Sequence, residues 1–105
     1  MKPQPVFKQK PVNITIQEEE SFLIPCRING WVGLVQWSQD TMILGGYKNL
    51  VGYPRYSINI DKDEGVYDLV IENATKTDTG QYDCQVSGQG IKIMQRSTFV
   101  NVLRK

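Results

Sequence analysis

The sequence predicts an all-β sandwich, on three observations. Cys26 is followed eleven positions later by Trp37, and a second cysteine closes the run Asp78-Thr79-Gly80-Gln81-Tyr82-Asp83-Cys84. Short stretches in which apolar and polar residues alternate recur along the chain, with turn residues between them. No stretch carries a helical period, a low-complexity tract or an internal repeat.

The spacing of the two cysteines and the tryptophan is that of an immunoglobulin-like β-sandwich of the I-set or V type. In such a fold one disulfide joins two facing sheets and an indole packs on it. The signature pairs Cys26 with Cys84. Outside it, two cysteines this far apart in a cytosolic chain would be unpaired thiols; within it they imply an oxidising compartment. In the chain-entropy model so long a closed loop contributes on the order of 4 kcal/mol, mostly by restricting the unfolded state.

The elements follow in order. Val6-Phe7-Lys8-Gln9-Lys10 and Val12-Asn13-Ile14-Thr15-Ile16, divided by Pro11, read as an edge strand that switches sheets, because proline cannot donate to a ladder. Ile14 and Ile16 face the core. Gln17–Glu20 is a charged turn, and a glutamate stands at 19 where sandwich domains often have glycine, so a looser turn is expected. Phe22, Ile24, Cys26 and Ile28 form the inward side of the second strand. Asn29–Gly33 is a loop in which Trp31 either packs over the loop base or belongs to a contact surface. Leu34–Gln39 points Val35 and Trp37 inward and Leu34, Gln36 and Ser38 outward. Asp40-Thr41 turns the chain into Met42-Ile43-Leu44, where at least one large apolar residue must be exposed.

Residues 47–54 are irregular. Arg55–Ile60 alternates Tyr56, Ile58 and Ile60 inward, and Asp61–Gly65 is a polar hairpin turn. Val66–Ile71 returns with Leu69 and Ile71 inward. Residues 72–79 make a corner with a short helical turn. Gln81–Ser87 carries Tyr82, Cys84 and Val86 inward and Asp83 and Gln85 outward. After the Ser87–Gly90 hairpin, a last strand over Ile91–Leu103 places Val100 and Val102 inward. Tyr82, two residues before Cys84, sits at the tyrosine-corner position, so its hydroxyl should bond backbone near Asp78. Arg55 and Asp78 are expected to pair and close the bottom of the sandwich.

A chain of 105 residues with a net charge of +1 is one domain without a field to attract nucleic acid or acidic membrane. No apolar run approaches the roughly 18–20 residues that cross a bilayer. The start, Met1-Lys2-Pro3-Gln4-Pro5, has neither the hydrophobic segment nor the cleavage motif of a signal peptide. The expectation is a single domain over 1–105, the N-terminal domain of a longer ectodomain, with Met1 as an added initiator. Catalysis has no obvious agents. Histidine is absent, no serine lies in a nucleophile elbow, and the carboxylates sit at turns. No cofactor or metal is expected, because the acidic run at 61–64 lacks an alternating ligand loop. Two N-x-Thr sequons, at Asn13 and Asn73, mark candidate glycosylation sites.

A partner-binding face remains. Leu34, Gln36, Ser38, Ile43, Asp83, Gln85, Ile93 and Met94, with Ile91 and with Tyr47 and Tyr53 in the adjoining loop, gather on the side of the tryptophan strand. This set is apolar and amide-bearing with few charges, the composition of an interface core. The other sheet, expected to carry both sequons and most acidic turns, reads as solvated. Packing of the apolar residues beneath the 47–54 loop is the competing assignment.

Gly33-Leu34-Val35-Gln36-Trp37, Gly52-Tyr53-Pro54-Arg55-Tyr56, Leu23-Ile24-Pro25-Cys26 and Tyr82-Asp83-Cys84-Gln85 together resemble the first immunoglobulin domain of the irregular-chiasm/roughest/kin-of-irre (Kirrel, nephrin-like) adhesion family. The resemblance covers nearly the whole chain and is nearest the family's nematode synaptogenesis branch. The cysteine–tryptophan frame is common to all immunoglobulin domains; the Val-Gln-Trp and Tyr-Pro-Arg-Tyr pieces are the more specific part. The resemblance implies a type I membrane protein at cell junctions or synapses. Its first domain binds a nephrin-like immunoglobulin partner, or itself, through the tryptophan-strand sheet, with the outward Gln36 in the interface. The competing reading is a spacer domain of a multidomain protein, which would be expected to have a charged, unpatterned face there.

Overall fold

The computed structural model describes residues 4–10, 12–30, 32–88, 90 and 92–105. The expectations placed on Pro11, Trp31 and Ile91 lie outside the described residues. Among those described, the chain forms ten strands and one short 3-10 turn. They are β1 (Val6–Phe7), β2 (Ile14–Gln17), β3 (Phe22–Ile24), β4 (Ile28–Asn29), β5 (Leu34–Gln39), β6 (Met42–Gly45), β7 (Tyr56–Asp61), β8 (Val66–Ile71), the 3-10 turn Lys76–Asp78, β9 (Gly80–Ser87) and β10 (Met94–Leu103). One sheet runs β2-β10-β9-β5-β6, the other β3-β8-β7, and β1 pairs with β4. This is the two-layer immunoglobulin sandwich that the cysteine spacing predicts.

Between the sheets lie Trp37, Tyr82, Ile24, Leu69, Ile71, Val86 and Val100, each almost wholly removed from water. Cys26 and Cys84 are bonded, with their Cα atoms 6.3 Å apart. The Trp37 indole N–H donates to the Tyr67 carbonyl of the opposite sheet at 2.8 Å, so the one polar atom of the largest core side chain is satisfied. Tyr82 donates its hydroxyl to the Asp78 carbonyl, forming the expected tyrosine corner.

The N-terminal segment does switch sheets. Val6 and Phe7 pair antiparallel with Asn29 and Ile28, whereas β2 runs parallel to the end of β10 with Ile14 opposite Val100. This switch corrects one assignment: Asn13 leads into the sheet that holds Trp37, not the opposite one. The second strand is also not continuous. Pairing lapses over Pro25 and Cys26, where the proline offers no N–H and the Asp68 carboxylate takes the Cys26 N–H at 2.9 Å, and it resumes as a bridge between Arg27 and Val66, with the Arg27 N–H taken by the Gln9 side chain at 2.9 Å. Asp68 itself, on a strand face that alternation makes outward, is 1% exposed and held by Arg27 at 3.0 Å.

Turn chemistry sets the strand order. Asp40 and Thr41 both adopt positive φ (47° and 74°), the two-residue geometry whose twist matches a hairpin, and join β5 to β6. The register then slips: Trp37 pairs with Gly45 and Ser38 with Ile43. The bulge at Leu44 turns that side chain into the core and leaves Met42 and Ile43 exposed. Gly46 is required just beyond, since a Cβ there would stand 2.5 Å from the Val35 carbonyl oxygen. Glu19 takes φ 76°, so the turn after β2 is tight after all and the glutamate adopts the backbone that glycine usually supplies. The last strand begins at Met94 rather than at 91.

Candidate functional site

The outer face of the five-stranded sheet is built in rungs. Gln36 on β5 stands opposite Gln85 on β9, which stands opposite Gln95 on β10. Antiparallel partners share a face, so three carboxamides lie side by side across the three central strands. The next rung is Ile43, Ser38, Asp83 and Ser97; the one beyond pairs Gln81 with Phe99; on the other side Leu34 meets Ser87. Leu34, Ile43 and Phe99 are roughly half exposed or more and frame this polar centre. An apolar border around neutral amides and hydroxyls can bury area and exchange hydrogen bonds without stranding a charge.

The single carboxylate on the central rungs is covered. Asp83 points outward, as alternation requires, yet is 7% exposed, because Ser97 Oγ and Gln81 Nε2 both donate to its Oδ1. It contributes to the face by ordering Gln81 and Ser97 rather than by presenting a free charge.

Other sequence-assigned residues divide. Leu34, Gln36, Ser38, Ile43 and Gln85 lie together on the face. Ile93, 68% exposed, lies at its border just before β10. Tyr47, 81% exposed, shares a cleft with Leu34 and Gly46 at the upper edge. Met94 does not belong: it pairs with Val86, whose side chain is in the core, and it packs against the core as well. Tyr53 does not belong either. It stacks on Tyr56 at 6.0 Å, donates its hydroxyl to Met42 Sδ, and lines a cleft with Gln39, Arg55 and Asp78 at the bottom of the domain. Gln95, Ser97 and Phe99 complete the face and were missed. Counting back by twos from the inward Val102 and Val100 would have found them, and would have turned Met94 inward.

The bottom cleft gathers three of the perturbed titratable groups, Arg55, Tyr56 and Asp78, and their geometry is structural. Arg55 donates from both terminal nitrogens to Asp78, at 2.8 and 2.9 Å, and caps the Glu72 and Asn73 carbonyls as well. Asp78 also accepts the Tyr56 hydroxyl and, at 2.8 Å, the Thr75 N–H that caps the 3-10 turn. Burial pushes its carboxyl up, but the hydrogen bonds from Arg55, Tyr56 and Thr75 outweigh burial and hold it below the usual carboxylate range. Burial and the bond to Asp78 push the Tyr56 hydroxyl up to about 12. A carboxylate with four donors already in place has no free lone pair with which to act as a base. No group of three or more metal-ligating residues occurs among the described residues.

Both sequon asparagines are exposed, Asn13 in the link before β2 and Asn73 at the corner with φ 50°. No helix among the described residues is long and apolar enough to cross a membrane.

Comparison with known proteins agrees with this architecture. The immunoglobulin I-set domain model matches residues 5–102. Kin of IRRE-like protein 2 of Mus musculus is 35% identical over 88 residues, which are 84% of this chain and 13% of that protein. Nephrin of Mus musculus is 31% identical over 93 residues, 87% of this chain and 7% of that protein. The crystal structure of Duf (Kirre) D1 superposes with a TM-score of 0.88 at 32% identity, covering 96% of this chain and 98% of that one. The chain thus spans 13% and 7% of the length of these two curated relatives. It belongs to the immunoglobulin I-set family, and its relatives there include Kin of IRRE-like proteins and nephrin.

Proposed function

We propose that this domain is a recognition module of a cell-surface adhesion protein. It binds a nephrin-like immunoglobulin partner, or a second copy of itself, through the outer face of the β2-β10-β9-β5-β6 sheet. The observation that carries the reading is the charge-poor rung Gln36–Gln85–Gln95 framed by exposed Leu34, Ile43 and Phe99. A spacer domain has no reason to keep such apolar area in water around a charge-poor centre. Similarity to both Kin of IRRE-like and nephrin domains supports a partner of the same fold. The contact is two sheet faces meeting, with Gln36 bonding across and the apolar border desolvated around it. The whole protein would be a single-pass type I membrane protein with this domain outside the cell, acting at junctions such as synapses. A single domain binds modestly, and the density of copies on two apposed membranes raises the effective strength. A glycan on Asn73 would cover the corner before the 3-10 turn, and one on Asn13 would stand at the β2 edge of the same sheet, near Phe99.

Surface plasmon resonance over an immobilised nephrin ectodomain tests this, with sedimentation velocity of the chain alone testing self-association. Gln36→Ala is expected to weaken whichever contact is seen by about tenfold, as truncation at an interface centre does, with the melting temperature unchanged. Undiminished binding by folded Gln36→Ala would remove the proposed face.

A further inference from the structure

We propose that Gln4 is a positioning residue: it clips the tip of the β9–β10 hairpin to the opposite layer and thereby sets the border of the recognition face. The inference rests on the face proposed above and adds a residue from outside the sheet.

The ladder between β9 and β10 ends at the pair Val86–Met94. Beyond it, the Gln4 carboxamide does what a strand neighbour would do. Its Nε2 donates to the Gly90 carbonyl at 3.1 Å, and its Oε1 accepts the Lys92 N–H at 2.8 Å. Both ends of one planar amide are therefore spent on two backbone groups of the hairpin, a pattern that neither Glu nor Ala can reproduce. Lys92 immediately precedes Ile93, the exposed apolar residue at the border of the face.

Gln4 can hold the hairpin because its own backbone is anchored elsewhere. Pro5 is fully buried and lies against Gly30, where a Cβ would come within 3.1 Å of the proline Cα. Val6 and Phe7 pair with Asn29 and Ile28. A second link runs between the same two segments: the Arg96 guanidinium of β10 stands 4.8 Å from the centre of the Phe7 ring. Residues 4–7 are thus a strap from β4 to the hairpin, and Gln4 is its polar end.

The experiment uses the 105-residue chain and has two readouts. Hydrogen exchange of the Lys92 amide, followed by NMR, reads the clip without any partner. Binding to the immobilised nephrin ectodomain, or self-association, reads positioning. In Gln4→Ala the Lys92 amide should exchange at least about fivefold faster, the scale of one lost hydrogen bond, whereas Gln4→Glu keeps an acceptor for that amide and loses only the donor to the Gly90 carbonyl. Binding should fall at least about threefold in both variants, with a melting temperature close to that of the parent. Exchange of Lys92 at the parent rate in Gln4→Ala would overturn the clip. Faster exchange with undiminished binding, where Gln36→Ala does weaken binding, would overturn the positioning role and leave the face intact. If neither Gln4→Ala nor Gln36→Ala weakens binding, the face itself is wrong and the positioning role falls with it.

Discussion

Gln36 and Gln85 stand opposite each other on neighbouring strands, one residue away from the opposed pair Trp37 and Cys84. The two rungs point to opposite sides of one sheet. Trp37 and Cys84 are locked in place by the disulfide, by the indole bond to Tyr67 and by near-complete burial. The backbone that carries the two glutamines is therefore as rigid as the core, so the points from which their side chains project are fixed. A flat contact benefits from this, because order imposed by folding need not be imposed again on binding.

The same alternation separates Ile93 from Met94. Ile93→Asp places a charge on exposed surface at the border of the face. It should weaken partner binding about tenfold or more while shifting the melting temperature by no more than a degree or two. Met94→Asp drives a carboxylate towards Val86 and the core, and should cost about 2 kcal/mol or more of stability. Urea denaturation of both variants beside binding of the nephrin ectodomain checks the pair. The reverse pattern, with Met94→Asp stable and non-binding, would show that β10 is read in the wrong register.

Strand alternation alone makes most of the sandwich legible in the sequence. Val35, Trp37, Tyr82, Cys84 and Val86 are all buried as period two requires. The outward Leu34, Gln36, Ser38 and Gln85 were named by the same rule. What could not be read came from places where side chains replace backbone partners. Asp68 sits on a nominally outward position, but Cys26 and Arg27 draw its carboxylate into the fold, and no local pattern encodes a partner 41 or 42 residues away. Glu19 occupies a left-handed turn that is held locally by the Gln17 N–H on Glu20 Oε1 and from across the fold by the Ala74 carbonyl on the Glu19 N–H, and the second contact is set by tertiary packing. The sheet that Asn13 leads into depended on whether the chain crosses over before or after it, which periodicity does not record. The start of β10 was misjudged for a simpler reason: apolar residues at 91, 93 and 94 cannot all obey alternation, and the even phase set by Val100 decides among them.

Asp78 ties the bottom of the domain together, and its removal should be felt throughout. Asp78→Ala strands the Arg55 guanidinium and leaves the Tyr56 hydroxyl and Thr75 N–H without their acceptor, so a loss of about 3 kcal/mol is expected. The pH dependence has a defined sign. The folded-state pKa lies below the ordinary value of 3.8, so the stabilisation is fully present above about pH 4 and is lost as pH falls through the depressed folded value. Urea midpoints between pH 5 and pH 2 should decline in the parent, and the decline should be shallower in Asp78→Asn. Identical slopes would mean that other carboxylates carry the acid sensitivity.

Tyr56 makes the matching prediction at high pH. Its hydroxyl is buried and donates to the Asp78 carboxylate, so ionising it would remove a hydrogen bond and put two negative charges side by side. The folded-state pKa is raised from 10.0 to about 12. Between those values the unfolded chain releases this proton and the folded one keeps it. Stability from this group is therefore complete below pH 10 and is lost as pH rises towards about 12. Tyr56→Phe should lower stability at neutral pH by about 1–2 kcal/mol, since it leaves one lone pair of the buried Asp78 carboxylate short of a donor. It should also flatten the alkaline decline, although Tyr82, likewise raised by burial, retains part of it. Thermal unfolding followed by near-ultraviolet circular dichroism from pH 9 to pH 11.5, parent against variant, measures the difference. Parallel curves would show that the Tyr56–Asp78 bond is not what holds the hydroxyl proton in the fold.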